Sequence, residues 1–313
     1  KEKETKTKKK KLADMVKDRS LRWCEAFHTV TSCLREEIKE TLDCGTQGYD
    51  KEEVLLRQIT EYWKLYQVSR EFTNTANHYG SIIISERYSE KKTIAPVSIG
   101  GVAGGEKYMA QGILFKFATA ENGLYVNEHA AAKVAGHELQ GCLTYFNCLT
   151  FLGRRNVRVP LMALIDYCGY RLVAISLLPI GKGTLIYGTC DAGRTVYNSA
   201  PDFDLIMEEC GKNLNLEKHI CGANPNENFR QTLHTAADVE GHQGFDDRFY
   251  LVDFSRVLPP VVPDPKLPGS QLFRMFRQEF VSAYENNPLC SDAFSGFTRY
   301  DPERTEQNQH IRE

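Results

Sequence analysis

Nowhere in this chain is there a run approaching the ~18–20 apolar residues that a membrane-spanning helix needs, and its first residues carry no apolar core of the signal-peptide kind. Cys-x-x-Cys is also missing, the cysteines show no metal-ligand rhythm, and no two histidines stand in a His-x-His or His-x-x-x-His grouping, so no zinc site is expected. The ten cysteines are scattered, Cys142 and Cys148 lying closest together, a pattern expected of reduced and partly buried thiols in a cytosolic-type compartment. Charge of one sign is lacking too: the net charge of −2 gives no global reason to expect nucleic acid. There is no initiating Met, so the 313 residues are expected to be a piece of something longer.

What is present is ordinary globular composition, 42% hydrophobic and 26% charged, enough for one large or two modest domains. Positive charge is concentrated in residues 1–11, KEKETKTKKKK, expected to be a basic disordered tail serving as a linker or as an attachment to RNA or acidic lipid. Residues 12–42 have helical character, Trp23, Phe27, Val30 and Leu34 recurring at steps of three and four. A second amphipathic helix is expected over 51–72, its Leu55, Ile59, Trp63 and Tyr66 stripe reading as core packing. Strands are expected at 82–84 and around 94–99. These pieces make a helical region over 12–90 in front of an α/β core at 91–260. A proline-rich linker, a helix at 272–284 and a polar, frayed tail from Thr298 fill 261–313.

Three stretches carry chemistry. The loop Ser98–Gly105 holds Gly100, Gly101, Gly104 and Gly105, which allow backbone N–H groups to approach an anion closely. After it comes the strand Gly112–Ala118, with Lys116 set in an apolar run, either facing solvent or held for a purpose. A helix of small residues over 127–147 carries His137 and Glu138. The third stretch, Ala236–Arg256, ends in the strand Phe249–Val252 and delivers Asp253 beside a loop holding Asp238, Glu240 and His242. Several acids and an imidazole at one sheet edge suit a metal–phosphate group or proton transfer; Asp253 as a cap and Asp246-Asp247 as a hairpin turn is the structural alternative. Hydrolysis through Cys142 or Cys148 with His137 is a weaker option, with no third activating group.

The segments Ala163–Ala174 (ALIDYCGYRLVA), Leu185–Gly188, Val239-Glu240-Gly241, Asp247–Asp253 (DRFYLVD) and Leu258-Pro259-Pro260 resemble the CLU domain of clustered-mitochondria proteins, in register from about Tyr108 to Phe280. That resemblance implies a cytoplasmic protein with protein or RNA partners, acting in mitochondrial distribution and in binding messenger RNAs for mitochondrial proteins. A looser resemblance is to protein-kinase-like folds, and it implies an α+β, two-lobed architecture with an antiparallel sheet and an N-terminal helical extension. Carried over, it implies ATP and Mg²⁺ as cofactors. Lys116 would grip the phosphates, Glu138 would hold Lys116, Asp253 would bind the metal, and Asp238, or in its place Glu240 or His242, would serve the acceptor. This chain departs from the kinase pattern in lacking His-Arg-Asp, in placing Gln243 five positions after Asp238, in Ser255 after Asp253-Phe254, and in ending the glycine loop at Gly105, only eleven residues before Lys116. A binding module and a phosphotransferase both remain open on this reading.

Overall fold

The computed structural model describes residues 2–17, 19–44, 51–99, 105–121 and 123–313. Three helices come first: α1 (Glu2–Lys17), α2 (Arg22–Cys44) and α3 (Lys51–Ser85). Residues 2–11, expected as a disordered tail, are therefore helical; Lys and Glu are good helix formers, and the lysines from Lys8 to Lys11 remain largely in solvent. Residues 82–84 are the last turn of α3 and not a strand, because Ile83 and Ile84 continue the buried face begun by Phe72 and Ala76. The expectation for the first half of α3 is overturned: Leu55, Ile59, Trp63 and Tyr66 are 50–58% exposed.

The first sheet is antiparallel throughout. Its strands are β1 (Pro96–Val97), β2 (Lys107–Ala110) and β3 (Ile113–Phe117), then, after the long helix α4 (Glu128–Phe151) and the short strand β4 (Val157–Arg158), β5 (Met162–Tyr167) and β6 (Tyr170–Ser176). The spatial order is β1-β2-β3-β6-β5. Both tight hairpins follow from turn chemistry. Gln111 and Gly112 (φ 54° and 74°) join β2 to β3, and Cys168 and Gly169 (φ 47° and 80°) join β5 to β6. Trp23 of α2 donates its indole N–H to the Gln111 carbonyl at 2.9 Å, seating the N-terminal helices on the first hairpin. Ile113, Phe115 and Phe117 of β3 face the main core, so Lys116, one step out of phase, faces the other side with its cross-strand partner Val173. On that side Val173 and Ile175 pack against Ala135 of α4.

The second sheet is built from β4, β7 (Leu185–Gly188), β8 (Tyr197–Asn198), β11 (Glu240–Gln243) and β12 (Phe249–Val252), in the order β4-β12-β11-β7-β8. Only the β12–β4 pair is parallel. Helix α5 (Pro201–Asn213) and the hairpin β9 (His219–Cys221) with β10 (Gln231–Leu233) lie between β8 and β11 in the chain. The fold is thus mixed α+β with two five-stranded sheets.

Beyond β12 the prolines do prevent a helix, and Val261 donates to the Arg274 carbonyl. The helix expected over 272–284 shrinks to α6 (Gln278–Ala283). The tail is not frayed: α7 (Arg304–Arg312) packs Ile311 against Leu289, Cys290 and Ala293 and buries Gln307, which donates to Asp301.

Candidate functional site

The end of β12 in the second sheet comes within side-chain reach of β3 in the first. Asp253 leaves the strand in the left-handed region (φ 60°), a conformation that costs a non-glycine residue free energy and turns its carboxylate back toward β3. There Asp253 Oδ1 lies 3.4 Å from the Lys116 ammonium, although 137 residues separate them in the chain. Both side chains keep solvent contact, 31% for Lys116 and 41% for Asp253, so the pair is accessible to a ligand from solvent. The Asp253 carboxylate, opposed by burial and helped by Glu138, holds the Lys116 ammonium well above its ordinary pKa.

Helix α4 runs beside this pair, and the site they form is called the cleft. Asn127 caps it, its side chain accepting from the Ala130 amide at 2.9 Å. Gly141 permits the contact: a Cβ there would lie 2.2 Å from the Phe254 carbonyl oxygen. The close approach puts Glu138 beside the residues after Asp253, where it accepts a hydrogen bond from the Phe254 amide at 3.4 Å. Burial, partly offset by Lys116, lifts the Glu138 carboxyl from 4.5 to about 7. Lys116 thus takes Asp253 as its ion-pair partner, while Glu138, expected to hold the lysine directly, acts on it through space and on the Asp253–Phe254 backbone by hydrogen bonding.

The remaining acids are already engaged. Glu240 and His242 stand on β11 and not in a loop. Glu240 Oε2 is 3.1 Å from His242 Nε2, and the other ring nitrogen meets the Thr184 hydroxyl at 3.0 Å. Asp238 precedes β11 and receives two hydrogen bonds from Arg256, at 2.7 and 3.0 Å. Arg256 also donates to Asp292 at 2.7 Å. Burial raises the pKa of Asp238 against the pull of Arg256, and burial likewise raises that of Glu240, with Asp253 adding to it.

Of the glycine loop, Gly100, Gly101 and Gly104 lie outside the described residues; Gly105 has a φ of 80° and sits near the Phe117 carbonyl. His137, Cys142 and Cys148 do not come together. His137 meets the Phe273 carbonyl, Cys142 points to the Pro160 carbonyl and Cys148 to that of Cys210, which removes the hydrolytic option. Burial also raises the Cys142 thiol pKa, the opposite of what a nucleophile needs.

The sequence reading missed three contributors. Lys107 on β2 lies directly across from Lys116, buried and with its pKa lowered by burial and by that neighbour. Tyr125 is pushed up to about 12 by burial and by the negative charges of Asp238 and Glu138. Arg256 lay three residues beyond Asp253, but its second partner, Asp292, is in a distant segment.

A family profile described as "Clustered mitochondria" covers residues 46–263, which takes in all of α3, both large sheets and Lys116, Glu138 and Asp253. The chain belongs to the clustered mitochondria family. The clustered mitochondria protein homolog of Aspergillus fumigatus is 24% identical over 276 residues, 84% of this chain and 19% of that protein. Protein clueless of Drosophila virilis is 28% identical over 168 residues, 52% of this chain and 11% of the relative, and Drosophila ananassae clueless is 33% identical over 132 residues, 41% and 9%. The chain thus spans about a fifth of the length of the fungal family members. No solved structure shows a significant match. Among the described residues of this clustered mitochondria chain, no helix is long and apolar enough to cross a membrane.

Proposed function

We propose that this chain is a ligand-binding module of a clustered-mitochondria-type protein, serving mitochondrial organisation in the cytoplasm, and that the ligand of its cleft is a nucleotide with Mg²⁺. The observation that carries the reading is the partly solvent-accessible Lys116–Asp253 pair, which links β3 of one sheet to the end of β12 of the other. The residues present fit such a ligand. Lys116, with Lys107 across from it, offers positive charge to phosphate oxygens. Asp253 offers hard carboxylate oxygens, and Glu138 is a second acid that a cation would ionise. When bound, Mg²⁺ would neutralise phosphate charge. The scaffold is read as kinase-like for the same reasons: an antiparallel sheet with its lysine on β3, a helix with its glutamate after that strand, and an aspartate at the end of a strand in the second sheet.

Binding without phosphoryl transfer is the favoured form. Asp238, the candidate base, is tied down by two hydrogen bonds from Arg256, and Glu240 is occupied by His242. Both Asp238 oxygens accept from Arg256, so although burial raises the pKa of Asp238, taking a proton from an acceptor would require that pair to open. Partners of the module are protein or RNA, the exposed lysines of α1 supplying a salt-dependent RNA contact.

The test is thermal unfolding with Mg-ATP and with ATP plus chelator. A ligand at 100 times its Kd stabilises the fold by about 2.7 kcal/mol. The stabilisation is expected to need Mg²⁺, to vanish in Lys116→Ala, and to lose its Mg²⁺ dependence in Asp253→Asn, without release of phosphate. An absence of any shift at saturating Mg-ATP would remove the nucleotide reading; phosphate release dependent on Asp238 would convert it into a phosphotransferase.

A further inference from the structure

Away from the cleft, three donor groups of different chemistry converge in the interior. His219 and Cys221 alternate on β9 and so point to the same side, and Asp292 arrives from the C-terminal segment. All three are buried, at 2%, 0% and 0% exposure. His219 Nε2 is 3.0 Å and Cys221 Sγ 3.7 Å from Asp292 Oδ2, and one ligand atom from each residue lies within 4.8 Å of the other two. For comparison, a tetrahedron with Zn–N and Zn–O bonds of ~2.0 Å and a Zn–S bond of ~2.3 Å has N···O and S···O edges of about 3.3 and 3.5 Å.

The surroundings resemble a ligand shell. His219 Nδ1 is 3.0 Å from the Glu217 carbonyl, a pure acceptor, so Nδ1 carries a hydrogen and the histidine's orientation is fixed by a backbone carbonyl, as in metal-bound imidazoles. That leaves Nε2 pointed at a carboxylate oxygen, an arrangement that requires a cation or a proton between them. Asp292 is in turn oriented by the Ala237 amide at 2.7 Å and by Arg256 at 2.7 Å. The Cys290 thiol neighbours the same imidazole but is not one of the three converging donors.

We propose that His219, Cys221 and Asp292 form a zinc site that clips the C-terminal segment onto the β9–β10 hairpin. The mixed nitrogen, sulfur and oxygen set favours Zn²⁺ over Mg²⁺ or Ca²⁺, which take oxygen ligands. Charge also balances. Asp238, Asp292 and Arg256 together carry one net negative charge, which either a proton on His219 or Zn²⁺ with a Cys221 thiolate neutralises. Zinc therefore displaces two protons, one from Nε2 and one from the thiol, and leaves the charge of the interior unchanged. The clip strengthens a seam that already exists, since Leu216 bridges to Leu289 and the Ile220 amide donates to Asp301. The sequence pattern conceals it: the motif is His-x-Cys, with the third ligand 71 positions beyond the cysteine.

The experiment uses the full chain and the metal alone. After incubation with Zn²⁺ and gel filtration, stoichiometric zinc is expected by atomic emission, with a rise in melting temperature that chelator reverses. With Co²⁺ as probe, a thiolate-to-cobalt charge-transfer band is expected, lost in Cys221→Ser and kept in Cys33→Ser, whose thiol is exposed. Lys116→Ala should take up zinc normally, which separates this site from the cleft. Should Cys221→Ser not fold, X-ray absorption at the zinc edge of the unaltered chain decides: zinc with one sulfur ligand is expected. Substoichiometric metal, nitrogen and oxygen ligands only, or a charge-transfer band that survives in folded Cys221→Ser overturns the proposal.

Discussion

Replacing Glu138 by Gln should make the protein more stable at alkaline pH and leave it unchanged in acid. The folded carboxyl titrates at about 7 against an ordinary value of 4.5. Below 4.5 both folded and unfolded chains hold the proton, and the residue contributes its full stability. Between 4.5 and about 7 the unfolded chain releases the proton while the folded chain keeps it, so stability falls as pH rises and then levels off. At ~1.36 kcal/mol per pH unit the loss amounts to about 3 kcal/mol, and the solvent contact Glu138 retains reduces it to about 2 kcal/mol. Glutamine imitates the protonated acid, and its carbonyl can still accept from the Phe254 amide. Urea unfolding of both proteins at about pH 5 and pH 8 should give matching midpoints in acid and a higher midpoint for the variant at pH 8. Asp238 and Glu240 shift in the same direction, so only the difference between the two proteins isolates residue 138. Equal pH dependence in the two proteins would refute a buried, cleft-facing carboxyl.

Gly141→Ala drives a methyl into the Phe254 carbonyl and should cost about 1–3 kcal/mol while displacing Asp253. Gly136→Ala, on the same helix with nothing within 4 Å of the new atom, should stabilise by about 0.5–1 kcal/mol; thermal melts of the pair read both. Arg256→Met strands Asp292 and Asp238 without their guanidinium and should cost about 3–5 kcal/mol by urea unfolding, with partial recovery on adding Asp238→Asn. Trp63→Ala should change stability by under about 0.5 kcal/mol, since 58% of that residue is in water.

Local pattern predicted the parts of the molecule whose partners are near in sequence. Phe249–Val252 is β12 as expected from its β-forming run, and the hairpin around Cys168-Gly169 is where the turn residues placed it. Lys116 was legible because one charge in an alternating strand must leave the core side. The α3 stripe was misread because periodicity reports amphipathicity, not what covers the apolar face; Leu55, Ile59, Trp63 and Tyr66 have the spacing of a core helix yet remain exposed. Arg256, Asp292 and His219 could not be assembled from sequence, since His219 and Asp292 are 73 positions apart and meet only through the packing of the C-terminal segment. Glu240 and His242 were identified as chemistry-bearing, but their mutual hydrogen bond makes them partners of each other, and residue type alone did not show that.

The central claim is that the ammonium of Lys116 and the carboxylate of Asp253 together receive one ligand. Crystals soaked with a non-hydrolysable nucleotide analogue and Mg²⁺ test it directly. The account predicts phosphate density against Lys116 with a metal bound to Asp253. Density elsewhere on the molecule, or an unaltered Lys116–Asp253 pair with no ligand at saturating concentration, would contradict it.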